Sequence, residues 1–275
     1  MRKNVKVLLS LVMAAAMLAG CGGQSSEKTA ENGASGQTTQ ASAGKEDGAG
    51  SEGGKVMTYA MQKEPETLDP TMNNYATSSI VLQNLFTGLM QIGPDGGLIN
   101  GCAEKYEVSE DGLEYTFTLR DGLKWSDGTD LNAKDFEYTF KRIADTNVAA
   151  PYAETVIGMI EGYKEAIDSK NPEKLNVKAS DDGKTLTIKL AYPSSYFGTM
   201  SPVQKATVEK NGDSWATKPE TYVCNGPYTI TEWTPSEKIV CKKNENYKGG
   251  WDSSKIVNDK LTFLLLEDSS ASYTA

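Results

Sequence analysis

One stretch, residues 111–142, constrains the fold more than any other part of the sequence. Apolar and polar side chains alternate over residues 114–120 with the two-residue period of a half-buried strand. A second short apolar segment follows at 123–125, and Asp-Gly pairs before, between and after these segments favour tight turns. This part of the stretch therefore predicts strand, turn, short strand and turn.

A capped helix is predicted to complete the stretch. Asn132 stands at the N-cap position, and Asp135 three residues later makes a weaker form of the capping box. Phe136, Phe140 and Ile143 then recur at helical spacing and form one apolar stripe. On physical grounds alone the stretch is a small α/β unit.

The first twenty residues predict an export signal. Positive charges precede an apolar core at 7–18, which is too short to span a membrane comfortably. The core ends in Leu-Ala-Gly-Cys, which resembles the lipobox of bacterial lipoproteins, so residues 1–20 are predicted to be a lipoprotein signal peptide and Cys21 the lipidated residue. The alternative is an ordinary secretory signal with a chance cysteine. Buried acyl chains would hold the protein on the membrane.

Residues 21–54 are predicted to be a flexible tether. They consist largely of Gly, Ser, Ala, Thr, Gln and Glu, and they contain no aromatic residue. Such a segment buries too little apolar surface to offset chain entropy. The fold is therefore expected to begin near Lys55, and the remaining chain is long enough for one large domain or two lobes.

Composition excludes several kinds of chemistry. The chain contains no histidine, which rules out a His-ligated metal site, a Ser-His-Asp triad and a Cys-His dyad. The formal net charge of −9 argues against nucleic acid and anionic lipid as partners. We assign no catalytic residue, no metal ligand and no cofactor from the sequence.

Three cysteines, Cys102, Cys224 and Cys241, lie in the predicted fold, and an odd number leaves at least one free thiol. Cys224 and Cys241 flank a predicted hairpin whose turn lies near 234–237. That register places Cys241 opposite Ile230, which disfavours a disulfide between the two cysteines. We expect small, buried, apolar side chains instead.

The remaining pattern predicts further elements. They are a strand at 56–60, a helix at 78–85, a helix at 155–170, a hairpin of strands at 175–179 and 185–190, and a strand at 261–266 apolar enough to be buried on both faces.

Residues 109–142, SEDGLEYTFTLRDGLKWSDGTDLNAKDFEYTFKR, resemble a family signature. The family is that of the extracellular solute-binding proteins that serve peptide and nickel ABC importers, and the match includes the unusual Trp-Ser-Asp-Gly corner at 125–128. Further resemblances follow in family order at 62–70, 86–89 and 223–228. The segment 143–153 is similar to the oligopeptide-binding branch.

The resemblance implies a periplasmic-binding-protein-like (class II) α/β fold. Residues 55–86 and 205–275 would form the first lobe around a mixed sheet flanked by helices. Residues 87–204 would form an inserted small α+β subdomain. Family members are roughly twice as long, so the second lobe is expected to be missing, and this chain is expected to bind peptide weakly or not at all.

The resemblance also implies ligand contacts, each with a plain structural alternative. Tyr152 would lie against the bound peptide, or else pack on its own domain. Asn225 and Gly226 would offer polar contacts, or else simply form a tight turn. The full set of implied contact residues is Asn74, Tyr75, Ala76, Tyr152, Asn225 and Gly226.

The function implied is that of a monomeric, lipid-anchored oligopeptide-binding protein of an ABC importer outside the bacterial cell membrane. Its partners would be oligopeptides, held extended by main-chain pairing, and the permease subunits in the membrane. One alternative is a protein of the same fold for a nickel chelate, a sugar or a signalling peptide. A glycoside hydrolase is another alternative, but acidic pairs such as Asp181-Asp182 sit in turn-like contexts without a partner motif.

Overall fold

The computed structural model describes residues 54–194, 197–250 and 253–266. The predicted signal peptide, Cys21, almost all of the predicted tether and residues 267–275 lie outside the described residues. Within the described ranges, no helix combines the length and the apolar character needed to cross a membrane.

Ten strands and five α-helices are described, joined by turns and short 3-10 segments. The strands are β1 (Val56–Met61), β2 (Met90–Ile92), β3 (Leu98–Asn100), β4 (Ala103–Val108), β5 (Glu114–Leu119), β6 (Val177–Ala179), β7 (Thr185–Lys189), β8 (Tyr228–Thr234), β9 (Lys238–Lys243) and β10 (Lys260–Leu265). The helices are α1 (Ala76–Leu85), α2 (Ala133–Ala144), α3 (Ala153–Ile157), α4 (Tyr163–Ser169) and α5 (Lys205–Asn211).

One four-stranded sheet has the order β1-β10-β9-β8. β1 and β10 are parallel, whereas β10 and β9, and β9 and β8, are antiparallel, so the sheet is mixed as predicted. The expectation that the strand at 261–266 is buried on both faces is wrong. Leu261, Phe263 and Leu265 are buried, but the residues between them are only half-buried, because β10 covers its core on one face.

The second four-stranded sheet is antiparallel, in the order β4-β5-β7-β6. The predicted strand at 114–120 and the predicted hairpin at 175–190 are both confirmed as members of this sheet. Phe117 on β5 pairs with Leu186 on β7, and both are fully buried. Helix α2 packs on β6 and β7 and buries Phe136 and Phe140 completely. A two-stranded hairpin of β2 and β3 stands apart from both sheets.

Two further element predictions need correction. Residues 155–170 do not form one helix, because α3 ends at Ile157 and α4 begins only after Gly162, whose φ is +83°. A Cβ at Gly162 would lie 2.0 Å from the carbonyl oxygen of Lys174, so a close backbone approach imposes the break. The segment 123–125 forms only an isolated bridge between Lys124 and Asp130 rather than a strand.

The β8–β9 hairpin pairs Thr234 with Lys238 at its turn, and its register then shifts between Ile230 and Glu232. Cys241 consequently pairs with Ile230, as predicted, and it is fully buried. Cys102, Cys224 and Cys241 are free thiols, and all three are buried as predicted.

Candidate functional site

Helix α2 is fixed at its start by hydrogen bonds that its own sequence supplies. The Asn132 side chain accepts from the backbone N–H of Lys134 at 2.9 Å, and the backbone N–H of Asn132 donates to the Asp135 carboxylate at 3.0 Å. The capping box is therefore confirmed. Burial raises the pKa of Asp135, while the donors Asn132 and Trp125 oppose that rise. The helix is thereby held over the second sheet, with Arg142 in its last turn.

A buried polar cluster forms around Asp69 where that last turn meets the turn at 68–71. Arg142 Nη2 lies 2.9 Å from one Asp69 carboxylate oxygen, and Trp215 Nε1 donates to the same oxygen at 3.1 Å. The other oxygen accepts from the backbone N–H of Thr71 at 2.9 Å and from its hydroxyl at 2.7 Å. Arg142 Nη1 also donates to the Thr71 hydroxyl. The charge of Asp69 is thus both paired and fully hydrogen-bonded, as burial requires.

Neighbouring aromatic rings close this cluster. Tyr222 donates its hydroxyl to the carbonyl of Leu68 at 2.8 Å, and its ring stacks on Trp215 with the centroids 5.6 Å apart. Burial raises the pKa of Tyr222 well above its ordinary value. The turn at 68–71 is therefore clamped from three separate parts of the chain.

The first set of predicted contact residues lies directly after this clamp. Asn74, Tyr75 and Ala76 are all exposed at the start of α1. Asn73 holds the segment, because its side chain accepts from the backbone N–H of Tyr75 at 2.9 Å and donates to the hydroxyl of Ser79 at 2.8 Å. The segment is thus presented to solvent on a backbone with fixed geometry.

Tyr152 is also exposed, with 47% of its surface accessible. It stands at the N-cap of α3, and its carbonyl accepts from the backbone N–H of Val156 at 3.0 Å. Nearly half of the residue is thus accessible to solvent, which leaves the predicted ligand contact sterically open. The prediction itself stays untested.

Asn225 and Gly226 occupy a different environment. The Asn225 side chain accepts from the backbone N–H of Thr87 at 3.1 Å and donates to the Thr87 carbonyl at 2.8 Å, and it is only 3% exposed. Gly226 donates its N–H to the carbonyl of Leu85 at 2.7 Å. The pair therefore joins the end of α1 to the start of β8, which favours the structural alternative, and a ligand role for it stays a prediction.

The corner at 125–128 holds the same junction. Ser126 donates its N–H to the Cys224 carbonyl at 2.8 Å, and its hydroxyl accepts from the Cys224 N–H at 3.1 Å. The Asn246 side chain donates to the Ser126 carbonyl at 3.2 Å. Through Ser126, the unusual corner thus joins the unit at 111–142 to the segment before β8 and to the segment after β9.

Sequence reasoning did not single out Arg142 or Trp215. Arg142 lies beside an apolar helix stripe and is only 9% exposed, which is rare for an unpaired arginine. Its position next to that stripe was the available signal for burial, but its partner, Asp69, lies far away in the chain. Among the residues that the structure describes, no three His, Cys, Asp or Glu side chains are grouped closely enough to hold a metal ion.

Comparison with known proteins defines the class. The family model for bacterial extracellular solute-binding proteins, family 5 (middle), matches residues 97–275. The chain therefore belongs to this family of solute-binding proteins, and its α/β fold is the one found in periplasmic binding proteins of the family.

Two relatives show which proteins of this family the chain resembles. The periplasmic oligopeptide-binding protein OppA of Salmonella typhimurium is 40% identical over 209 residues, which cover 73% of this chain and 37% of OppA. The probable deoxycholate-binding periplasmic protein YgiS of Escherichia coli is 34% identical over 227 residues, covering 80% of this chain and 42% of YgiS.

A solved structure extends the comparison. Haemophilus influenzae OppA in complex with RPPGFSPFR matches with a TM-score of 0.74 and 31% identity, over 81% of this chain and 44% of that one. The chain therefore spans less than half the length of these relatives.

Proposed function

We propose that this chain is the substrate-binding lipoprotein of an ABC peptide importer, and that it captures oligopeptides outside the bacterial cell membrane and delivers them to the permease. The observation that supports this proposal most strongly is the 40% identity over 209 residues with an oligopeptide-binding protein. The exposed segments at 74–76 and at Tyr152, each on a backbone held by hydrogen bonds, support peptide contact there. Asn225 and Gly226 would contribute to peptide binding by holding the end of α1 next to the start of β8.

The proposal includes the organisation expected from the sequence. Residues 1–20 would be removed as a signal peptide, Cys21 would carry the lipid, and 21–54 would be the tether. Residues 55–86 and 205–275 would belong to the first lobe, and 87–204 would form the inserted subdomain. The protein would act as a monomer and would carry out no catalysis.

Peptide would bind in an extended form and pair its main chain with protein groups. Main-chain pairing tolerates many side chains, so a mixed pool of tri- to pentapeptides is the appropriate probe. Because the chain spans less than half the length of its relatives, we expect the 275 residues alone to bind more weakly than micromolar.

Hydrogen–deuterium exchange tests the proposal at this low affinity. With millimolar peptide pool, we expect slower exchange at residues 73–77 and 150–154, and no change with an equal concentration of free amino acids. Titration calorimetry would show heat only at high peptide concentration. Equal protection by peptides and free amino acids, or none at either segment, would contradict peptide binding.

A second candidate is binding of a different solute by the same fold. The similarity to a probable deoxycholate-binding protein supports this second candidate. Deoxycholate is therefore added as a third arm of the exchange experiment. Protection by deoxycholate and not by peptide would replace the first proposal with this one, and native mass spectrometry of protein purified from cells would identify the retained ligand by its mass.

A further inference from the structure

Helix α2 ends at Ala144, and a short loop then leads to Tyr152. The backbone N–H of Asp145 donates to the carbonyl of Arg142 at 3.2 Å, and those of Val148 and Ala149 donate to the Asp145 carbonyl at 3.0 and 3.2 Å. Hydrogen-bonded turns therefore extend from Arg142 to Ala149, three residues before Tyr152.

The other predicted contact segment is connected to the same arginine. Arg142 reaches Asp69 and Thr71 with its two terminal nitrogens, so its planar fork spans two residues of one turn. From that turn, the backbone N–H of Met72 donates to the Asp69 carbonyl at 3.1 Å, and Asn73 fixes the following residues. The segment 74–76 is therefore tied to α2 through Arg142.

Trp215 completes this connection from a third element. Its indole N–H donates to Asp69 at 3.1 Å, and its ring is 1% exposed. The Asp69 carboxylate thus receives donors from its own turn, from α2 and from the segment after α5. A carboxylate held from three directions has one orientation, and so does the turn that carries it.

We propose that Arg142 is a positioning residue that fixes the segment 74–76 relative to Tyr152, with Trp215 holding the shared carboxylate in place. The proposal deepens the peptide-binding function and rests on it for its consequence for the ligand. Main-chain pairing with an extended peptide needs contact groups at fixed spacing, so loss of the arginine fork weakens binding without removing any group that touches peptide.

The experiment measures spacing directly. Spin labels are placed at Asn74→Cys and Glu154→Cys, both exposed positions, in the full chain carrying Cys21→Ser. The three native thiols are buried, so we expect them not to take up label in the folded protein. The distance distribution between the labels is measured by pulsed electron paramagnetic resonance in three variants: Arg142→Met, Trp215→Phe and Trp125→Phe.

Trp125→Phe is the matched control. Trp125 is also 1% exposed and also donates its indole N–H to a carboxylate, that of the half-buried Asp135 at 3.4 Å, but Asp135 lies at the opposite end of α2. We expect Arg142→Met and Trp215→Phe to broaden or shift the distribution, and Trp125→Phe to leave it at the width of the parent. Circular dichroism establishes that each variant is folded, and Trp215→Phe decides the question if Arg142→Met does not fold.

A second arm measures peptide-dependent exchange protection in the same three variants without labels. We expect the peptide concentration for half-protection to rise about tenfold in Arg142→Met, equivalent to about 1.4 kcal/mol, and to stay within about twofold of the parent in Trp125→Phe. Equal broadening in both tryptophan variants, an unchanged distribution in Arg142→Met, or broadening without weaker binding would each overturn the proposal. If the parent protein binds no peptide, the proposed function fails, and the distance distributions alone decide whether Arg142 couples the two segments.

Discussion

The carboxylate of Asp69 and the guanidinium of Arg142 form an ion pair with a 2.9 Å contact, although 73 positions separate the two residues in the chain. Their side chains are only 9% and 7% exposed. Removing both charges from water is costly, and this cost is offset because every oxygen of Asp69 also accepts other donors. The pair therefore specifies where the turn at 68–71 lies, rather than simply adding stability.

Removing one partner of this pair should be severely destabilising. Arg142→Met fills a similar volume but leaves the buried Asp69 charge without its cation, and we expect the free energy of unfolding to fall by about 3–5 kcal/mol. Urea denaturation measures the change. The control is Lys124→Met, which removes an exposed ion pair with Asp130 and should cost less than about 1 kcal/mol. Similar losses in the two variants would contradict the role of burial.

The helix cap at Asn132 supports a second prediction. Asn132→Ala removes the acceptor of the Lys134 N–H and should lower the free energy of unfolding by about 1 kcal/mol. Lys134→Ala, an exposed change in the same turn, should stay within about 0.5 kcal/mol of the parent. Equal effects of the two substitutions would show that the cap hydrogen bond is not responsible.

Local chemistry explains which parts of the fold the sequence could predict. The cap of α2 depends on residues three positions apart, and Cys241 pairs with Ile230 within a hairpin of consecutive strands, although a register shift between Ile230 and Glu232 also contributes to that pairing. The strand at 114–120 could likewise be predicted without knowing its partners, because the alternation of apolar and polar residues reflects a strand with one face toward the core.

Distant contacts explain the rest. The break between α3 and α4 depends on the approach of Lys174 to Gly162, which no helical period reveals. The ion pair between Asp69 and Arg142 likewise could be seen only in the folded chain, although both residues lie in stretches that resemble the family. The prediction of the exposed contact residues rested on resemblance to the family, and the structure adds only how their backbone is held.

Gly226 supports a third prediction. A Cβ at this position would lie 2.4 Å from the carbonyl carbon of Leu85 and 2.5 Å from the nitrogen of Phe86, and neither backbone atom can move freely. Gly226→Ala should therefore destabilise the protein by about 1–3 kcal/mol or more. Gly97→Ala provides the control, since its nearest neighbour is the Asp95 side chain at 3.4 Å. A thermal melt in which both variants match the parent would contradict the close packing.

The buried thiols support a fourth prediction. Burial raises the pKa of Cys102 to about 12 and that of Cys224 to about 11, from an ordinary value of 9.0. At neutral pH both thiols should resist alkylation in the native protein and react in urea, as peptide mapping by mass spectrometry would show. An exposed cysteine introduced as Asn74→Cys should react in both conditions.

The same shifts determine the alkaline stability. The folded-state pKa values are raised, so the stabilisation is fully present below pH 9 and is lost as the pH rises through the folded values. The free energy of unfolding should therefore decline above pH 9, and Cys102→Ala should reduce that decline. Rapid native alkylation at Cys102 or Cys224 would contradict both expectations.

The acid limit of stability provides the last prediction, at Asp127. Burial acts to raise the pKa of this carboxyl, but hydrogen bonds from the Thr129 hydroxyl and backbone N–H and from Gln204 Nε2 outweigh it, so the pKa lies below its ordinary value of 3.8. A lowered folded-state pKa gives stabilisation that is present above pH 3.8 and is lost as the pH falls through the folded value. Asp127→Asn should therefore flatten the pH dependence of the free energy of unfolding below pH 3.8, measured by urea denaturation at several pH values. Asp130→Asn, which removes a carboxylate from the same loop, should retain the slope of the parent, because Asp127 still takes up its proton on unfolding. A parent slope in Asp127→Asn would mean that these three hydrogen bonds do not hold the carboxylate in its charged form.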